Sequence, residues 1–287
     1  MALIPLAKAQ VFFDGLFSQP RLDHPEGIAV DRAGNLWCGG EEGQIYRLAA
    51  DGSRLELVAT TGGFTLGLAF DARGRLYTCD LGHAAVFRYD PATGQLERFA
   101  TGSERARLRI PNFPVVDERR RCLYVSDSYR FGEPGPGVWR FDLETGQGDL
   151  WYDRPLVFAN GMALAPDGTA LYVVESFAQR VVRLPILADG RPGPAEVVVS
   201  GLERVPDGLA FDQAGNLYVS CYEPSRVYRV SPDGLVEILL DDPEAHTLCH
   251  PTNLAFRGRE LFLANLGRWH ITRVEIDIPG LPLPVGA

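Results

Sequence analysis

PEGIAVDRAGNLWCGG, running from Pro25 to Gly40, reads as a short apolar strand, a turn of the Asp/Pro-x-Gly type and a second apolar strand, and this strand-turn-strand pattern returns five more times along the chain. The recurrences are TLGLAFDARGRLYTCD from Thr65, PNFPVVDERRRCLYVSD from Pro111, ANGMALAPDGTALYVVE from Ala159, PDGLAFDQAGNLYVSC from Pro206 and PTNLAFRGRELFLAN from Pro251. Aligned, they place Glu26, Leu66, Asn112, Asn160, Asp207 and Thr252 in one column, at spacings of 40, 46, 48, 47 and 45 residues. A period near 45 is that of one propeller blade of four antiparallel strands. Helical periodicity is nearly absent, which excludes a helical solenoid.

Third strands with alternating apolar positions follow each unit, as in GQIYRL, AVFRYD, GVWRFD, RVVRLP, RVYRVS and ITRVEI. Fourth strands are expected at 55–60, 96–100, 149–152, 196–200 and 236–240. The sixth unit lacks one, because Ile271–Ile276 runs into the proline-rich tail PGLPLPVGA. Gln10–Phe13 (QVFF) is otherwise unpaired, and closing the ring with it would remove exposed strand edges. The expected fold is therefore all-β: a six-bladed β-propeller, one domain over residues 1–287, with the N-terminal strand completing the last blade.

Composition narrows the function classes. A hydrophobic content of 46% with 23% charged residues fits a globular protein, and 31 Gly with 21 Pro supply many turns. The net charge of −9 argues against a nucleic-acid partner, since Arg119-Arg120-Arg121 is the one basic cluster and reads as a turn. No stretch approaches the roughly 20 apolar residues that span a bilayer, and 1–16 lacks the pattern of an export signal, so no membrane association and a cytoplasmic location are expected. Cys38, Cys79, Cys122, Cys221 and Cys249 are odd in number, lack CxxC spacing and sit mostly in strand-like runs, as buried free thiols do. A closed propeller has no obligate free edge, so a monomer is expected.

First strands line a propeller's channel, so the aligned column becomes a ring at its mouth. Four members, Glu26, Asn112, Asn160 and Asp207, offer side-chain oxygens from otherwise apolar runs. Two buried carboxylates facing each other need a compensating cation. With two amide oxygens they form a hard donor set that Ca²⁺ fits best, with Mg²⁺, Mn²⁺ or Zn²⁺ as alternatives. The competing reading is that Asp and Asn merely start strands after proline-containing loops. A second column at the ends of the second strands holds Gly40, Asp80, Asp127, Glu175, Cys221 and Asn265. Asp127 and Glu175 are candidates to orient ligands or touch substrate, against a strand-end turn as the alternative. His24 and His250 precede the blade-opening prolines of the first and sixth units, either facing one another as base candidates or capping loops. No G-x-S-x-G, P-loop or zinc spacing is present.

Over roughly 25–274 these residues resemble the SMP-30/gluconolactonase/luciferin-regenerating-enzyme group, with more distant similarity to paraoxonases and strictosidine synthase-like propellers. HPEGIAVDRAGNLW, FANGMALAPDGTALYVVESF and VPDGLAFDQAGNLYVS carry it. The resemblance implies a small lactone or ester as substrate, Glu26, Asn160 and Asp207 as direct metal ligands, and Asn112 touching metal or substrate. It also implies that the ion polarises the lactone carbonyl while Asp207 activates water. RLRIPNFPVVD departs from the sugar-lactonase pattern Arg-x-Asn-Asp-Gly: Arg109 lies one residue from the substrate-binding arginine position, and Phe113-Pro114 replace Asp-Gly. A substrate less polar than gluconolactone is implied. Ser126-Asp127-Ser128 with Arg130 and GEPGPG resembles the strictosidine synthase-like proteins instead. Two further readings stay open, a metal-free condensation or lyase enzyme with Glu175 as lone acid, and a non-catalytic interaction propeller.

Overall fold

The Asp-x-x-Gly turns show why the repeated sequence folds into repeated hairpins. Asp31 accepts the backbone N–H of Ala33 and Asn35, the Asn35 amide and the Trp37 indole N–H. Asp212 binds Ala214, Asn216 and the Tyr218 hydroxyl in the same way, and Asp71 binds Arg73, Arg75 and Tyr77. One carboxylate thus closes the turn and ties it to the aromatic residue of the returning strand. Gly34, Gly74 and Gly215 take φ of +85°, +81° and +83°, a left-handed geometry that a side chain would strain.

The computed structural model describes residues 2–283; the single domain expected over 1–287 reaches beyond them, as does the end of the proline-rich tail. Strands make up 52% of it and helix 2%, in six four-stranded antiparallel sheets. The first blade holds β2 (Ile28–Val30), β3 (Leu36–Gly39), β4 (Gln44–Leu48) and β5 (Leu55–Thr60), and the second β6 (Thr65–Phe70), β7 (Leu76–Asp80), β8 (Ala85–Asp90) and β9 (Gln95–Ala100). The third is β10 (Pro111–Asp117), β11 (Cys122–Asp127), β12 (Gly135–Asp142) and β13 (Gly148–Leu156). The fourth is β14 (Ala159–Leu164), β15 (Ala170–Glu175), β16 (Arg180–Pro185) and β17 (Glu196–Ser200), and the fifth β18 (Pro206–Phe211), β19 (Leu217–Cys221), β20 (Arg226–Val230) and β21 (Val236–Asp241). The sixth joins β22 (Pro251–Arg257), β23 (Glu260–Asn265) and β24 (His270–Glu275) to the N-terminal β1 (Gln10–Asp14), whose Gln10 lies opposite Arg273 and Asp14 opposite His270. The ring closes as the sequence predicts.

Inner strands β2, β6, β10, β14, β18 and β22 touch in cyclic order. Below their first residues they enclose an apolar shaft of about 260 Å³ lined by side chains such as Ile28, Leu68, Val115, Met162 and Leu254. Leu281 of the tail borders the shaft's lower end, its N–H bonded to the Phe211 carbonyl. All five cysteines are buried and free. No helix among the described residues is long and apolar enough to cross a membrane.

Candidate metal centre at the channel mouth

Five of the six inner strands carry a β-bulge at the aligned column. In β18 the register runs from Pro206 opposite Cys221 to Leu209 opposite Val219, so Asp207 and Gly208 together oppose Ser220. The same slip leaves Leu66-Gly67, Asn112-Phe113, Asn160-Gly161 and Thr252-Asn253 in the extra positions. A bulge bends the strand and re-aims one side chain. Here it frees the column from the alternation of the ladder. The glycines beside the column answer a second demand: a Cβ on Gly161 would lie 2.4 Å from the Asp207 carbonyl oxygen, and one on Gly208 2.7 Å from that of Thr252. The blades approach too closely there for a side chain.

Glu26, Asn112, Asn160 and Asp207 are 4–6% exposed. Asn112 Nδ2 donates to Ser128 Oγ at 3.2 Å, and Asn160 Nδ2 donates to Ser176 Oγ at 3.1 Å. Each serine hydroxyl in turn donates across the blade boundary, Ser128 to the Ala159 carbonyl and Ser176 to that of Pro206, both at 2.7 Å. With their N–H groups committed, both amides keep Oδ1 buried and without a partner, as is Asp207 Oδ1. An acceptor left so costs about 1–3 kcal/mol. Three such oxygens in one ring beside a second carboxylate suit a hard cation, and the donor set fits one.

The charges point the same way. Burial pushes the Asp207 carboxyl up to about 8, partly offset by the Asn160 amide. Burial, and then the Asp207 charge, push Glu26 well above the usual carboxylate range, with the Asn253 amide opposing. Two carboxylates that cannot comfortably ionise together become a matched pair once a divalent cation is between them.

Leu66 and Thr252 complete the column without joining the donor set. Leu66 packs into the core beside Tyr77, and the Thr252 hydroxyl donates to the Glu26 carbonyl. Asn253, which the sequence reading missed, is 1% exposed and donates Nδ2 to Glu26 Oε2 at 3.2 Å while its own Oδ1 is unpartnered. Its signal was an amide where four of the other five blades have glycine after the column. Ser128 and Ser176 were also missed; both directly follow the second column.

In that second column Asp127 and Glu175 clasp the loops entering blades three and four. Asp127 accepts the N–H groups of Arg109, Ile110 and Tyr129 and the Trp139 indole N–H. Glu175 accepts the Val157 N–H at 2.8 Å and pairs with Arg180 at 2.5 Å, so it is not a lone acid. Arg109 is exposed, its guanidinium 4.9 Å from the Tyr129 ring. His24 packs at a tilt against Trp269, ring centroids 4.4 Å apart, and its Nδ1 lies 2.9 Å from Asp23 and 3.0 Å from Glu41. These three residues form a rim cluster with metal-ligand spacing, but the imidazole already bridges both carboxylates. His250 stacks on Tyr222 and bonds its carbonyl. Each histidine is held by neighbouring loops, His24 by Glu41 and Trp269 and His250 by Tyr222, at φ of +42° and +52°.

Comparison with known proteins gives the chain its family. The family model for the SMP-30/gluconolactonase/LRE-like region matches residues 41–264, and that for the strictosidine synthase-like N-terminal region matches 16–48, the stretch that contains Glu26. A gluconolactonase of Zymomonas mobilis is 26% identical over 219 residues, covering 69% of this chain and 60% of the relative. STRICTOSIDINE SYNTHASE-LIKE 6 of Arabidopsis thaliana is 25% identical over 215 residues, covering 69% and 56%. The chain thus spans under two thirds of these relatives' length. In fold it is similar to a gluconolactonase of Xanthomonas campestris, at TM-score 0.76 and 22% identity over 95% of this chain and 89% of the other. It is likewise similar to regucalcin, a calcium-binding protein of Agrobacterium tumefaciens, at TM-score 0.72 and 21% identity over 93% and 96%. With its family model matched over most of its length, the chain belongs to the SMP-30/gluconolactonase/LRE-like family.

Proposed function

We propose that the protein is a divalent-metal-dependent hydrolase of a small lactone or related ester, with Glu26, Asn112, Asn160 and Asp207 holding Ca²⁺. The observation that carries this reading is the set of buried, unpartnered oxygens on Asn112, Asn160 and Asp207 beside the Glu26 carboxylate. The gluconolactonase relatives support the reaction class, and the name of the regucalcin neighbour supports the choice of calcium. A bound divalent cation supplies Lewis acidity toward a carbonyl oxygen.

The protein's own part is placement. Ser128 and Ser176 each take one N–H of the Asn112 and Asn160 amides and leave the amide oxygens free of partners, and Asn253 holds Glu26. Asp207 has a second carboxylate oxygen with which to accept a proton from water as that water's oxygen bonds to the acyl carbon. The ring C–O bond breaks, and the departing oxygen takes the proton, leaving a hydroxy acid. Metal-free acid catalysis by Glu175 has less support, because Arg180 neutralises that carboxylate.

The test is thermal melting in EDTA and after adding back Ca²⁺, Mn²⁺, Mg²⁺ or Zn²⁺, alongside hydrolysis of a lactone panel. A ligand that binds the folded state alone raises melting temperature. Joint gains in melting temperature and turnover with Ca²⁺ are expected; indifference of both to every ion would reject the metal centre.

A further inference from the structure

Three phenylalanines stand together on one side of the mouth. Phe131 lies in the loop after β11, Phe158 in the link from β13 to β14, and Phe177 in the loop after β15. Their ring centroids are 4.9 Å apart for Phe131 and Phe158, 4.5 Å for Phe158 and Phe177, and 6.2 Å for Phe131 and Phe177. Phe158 is buried, whereas Phe131 and Phe177 are 72% and 42% exposed. A group of large exposed rings is uncommon on a soluble surface and marks a contact site.

Two of the three are built into the candidate metal centre, and Phe131 packs against both. Phe158 is two residues before Asn160, and Phe177 directly follows Ser176, whose hydroxyl orients the Asn160 amide. The Phe158 carbonyl accepts the Ser176 N–H. Phe158 also has φ of +58°, an outlier for a bulky side chain, held where its ring meets the other two. Across the ring, blades one and six present Asp23, His24, Glu41 and Trp269 instead. A molecule seated over the oxygen ring therefore meets charge on one side and aromatic carbon on the other.

We infer that Phe131, Phe158 and Phe177 form an apolar clamp for an alkyl or aryl substituent of the substrate, making the preferred class hydrophobic lactones rather than polyhydroxylated ones. The inference rests on the lactonase reading and deepens it. Tilted rings packed beside a polar centre bury a methylene chain without requiring a hydrogen bond, and each buried methylene tightens binding roughly fourfold. A hydroxylated chain would lose its water there with no partner in return.

The test separates binding from turnover. Non-hydrolysable γ-lactams bearing a methyl, propyl, pentyl or heptyl substituent are titrated by calorimetry into Ca²⁺-loaded protein, and the matching γ-lactones are assayed for hydrolysis. Wild type should show Kd falling roughly three- to fourfold per methylene, and the Phe131→Ala/Phe177→Ala double variant less than about 1.5-fold. Phe17→Ala, which removes an 87% exposed ring near His24, should keep the wild-type slope. Truncating exposed rings leaves the core intact, and unchanged melting temperature checks this. A flat slope in wild type overturns the clamp even if lactones are hydrolysed. A steep, phenylalanine-dependent slope without hydrolysis keeps the clamp and overturns the lactonase reading. Wild-type dimerisation that the double variant abolishes, seen by sedimentation velocity with a flat lactam slope, assigns the rings to self-association instead.

Discussion

The inner strands make two different surfaces from consecutive residues. At the mouth, Glu26, Asn112, Asn160 and Asp207 present oxygens of which three have no partner. One turn of the pleat lower, Ile28, Leu68, Met162 and Leu254 close an apolar shaft with the tail beneath it. The shaft is core, and its stability comes from removing carbon from water. The mouth runs against that tendency, holding desolvated charge and unpaired acceptors that cost free energy until something binds. The contrast separates the part of the channel that makes the fold from the part available for chemistry.

Removing one member of each half should separate them. Asp207→Ala should eliminate the Ca²⁺-induced rise in melting temperature and lower kcat/KM for a lactone on the order of 10³-fold. Retention of both would show that the mouth is not a metal centre. Leu68→Ala should cost about 3 kcal/mol by chemical denaturation and leave the Ca²⁺ response of the folded fraction unchanged. Loss of that response would mean that shaft and mouth are one energetic unit.

Acidity gives a sharper test of the mouth. Asp207 is pushed up to about 8, so between the ordinary carboxylate range and that value the metal-free fold binds a proton that the unfolded chain has released. The contribution is fully present below about pH 4. It is lost as pH rises through 8. Urea melts in EDTA should therefore show stability declining over this window, Asp207→Asn should flatten the decline, and Ca²⁺ should reverse it. A metal-free protein that gains stability across the window would contradict the buried pair.

Smaller effects grade the supporting residues. Ser176→Ala frees the Asn160 amide to rotate and should weaken Ca²⁺ binding by about 10- to 100-fold, read by calorimetry. An unchanged affinity would show that the serine only stitches blades four and five. At the bottom of the scale, Arg191→Ala removes an exposed pair with Asp189 belonging to neither half. It should leave the denaturation midpoint of the same assay unchanged.

Much of the fold was legible because its determinants are local. Asp31, Asp71 and Asp212 each close a turn with groups no more than six residues away, so the motif and the contact occupy one short window. The six-fold period and the strand-less end of the last unit then led to closure by β1. The donor column was legible from register. The roles of Asp127 and Glu175 were not, because a carboxylate at a strand end looks the same whether it meets substrate or accepts N–H groups from a loop seventeen or eighteen residues back. Asn253 and the serines were hidden for a related reason: their partners lie on other strands, and in part on other blades.

By itself the sequence determined six blades, the strand that closes them and which residues share the mouth, since turn chemistry and strand periodicity act within a few residues. The tertiary structure alone decided where those side chains aim. Bulges, close-packed glycines and hydroxyl bonds between blades depend on residues far apart in sequence, and they leave the amide oxygens of Asn112 and Asn160 buried and unpartnered while Phe131, Phe158 and Phe177 gather from three separate loops.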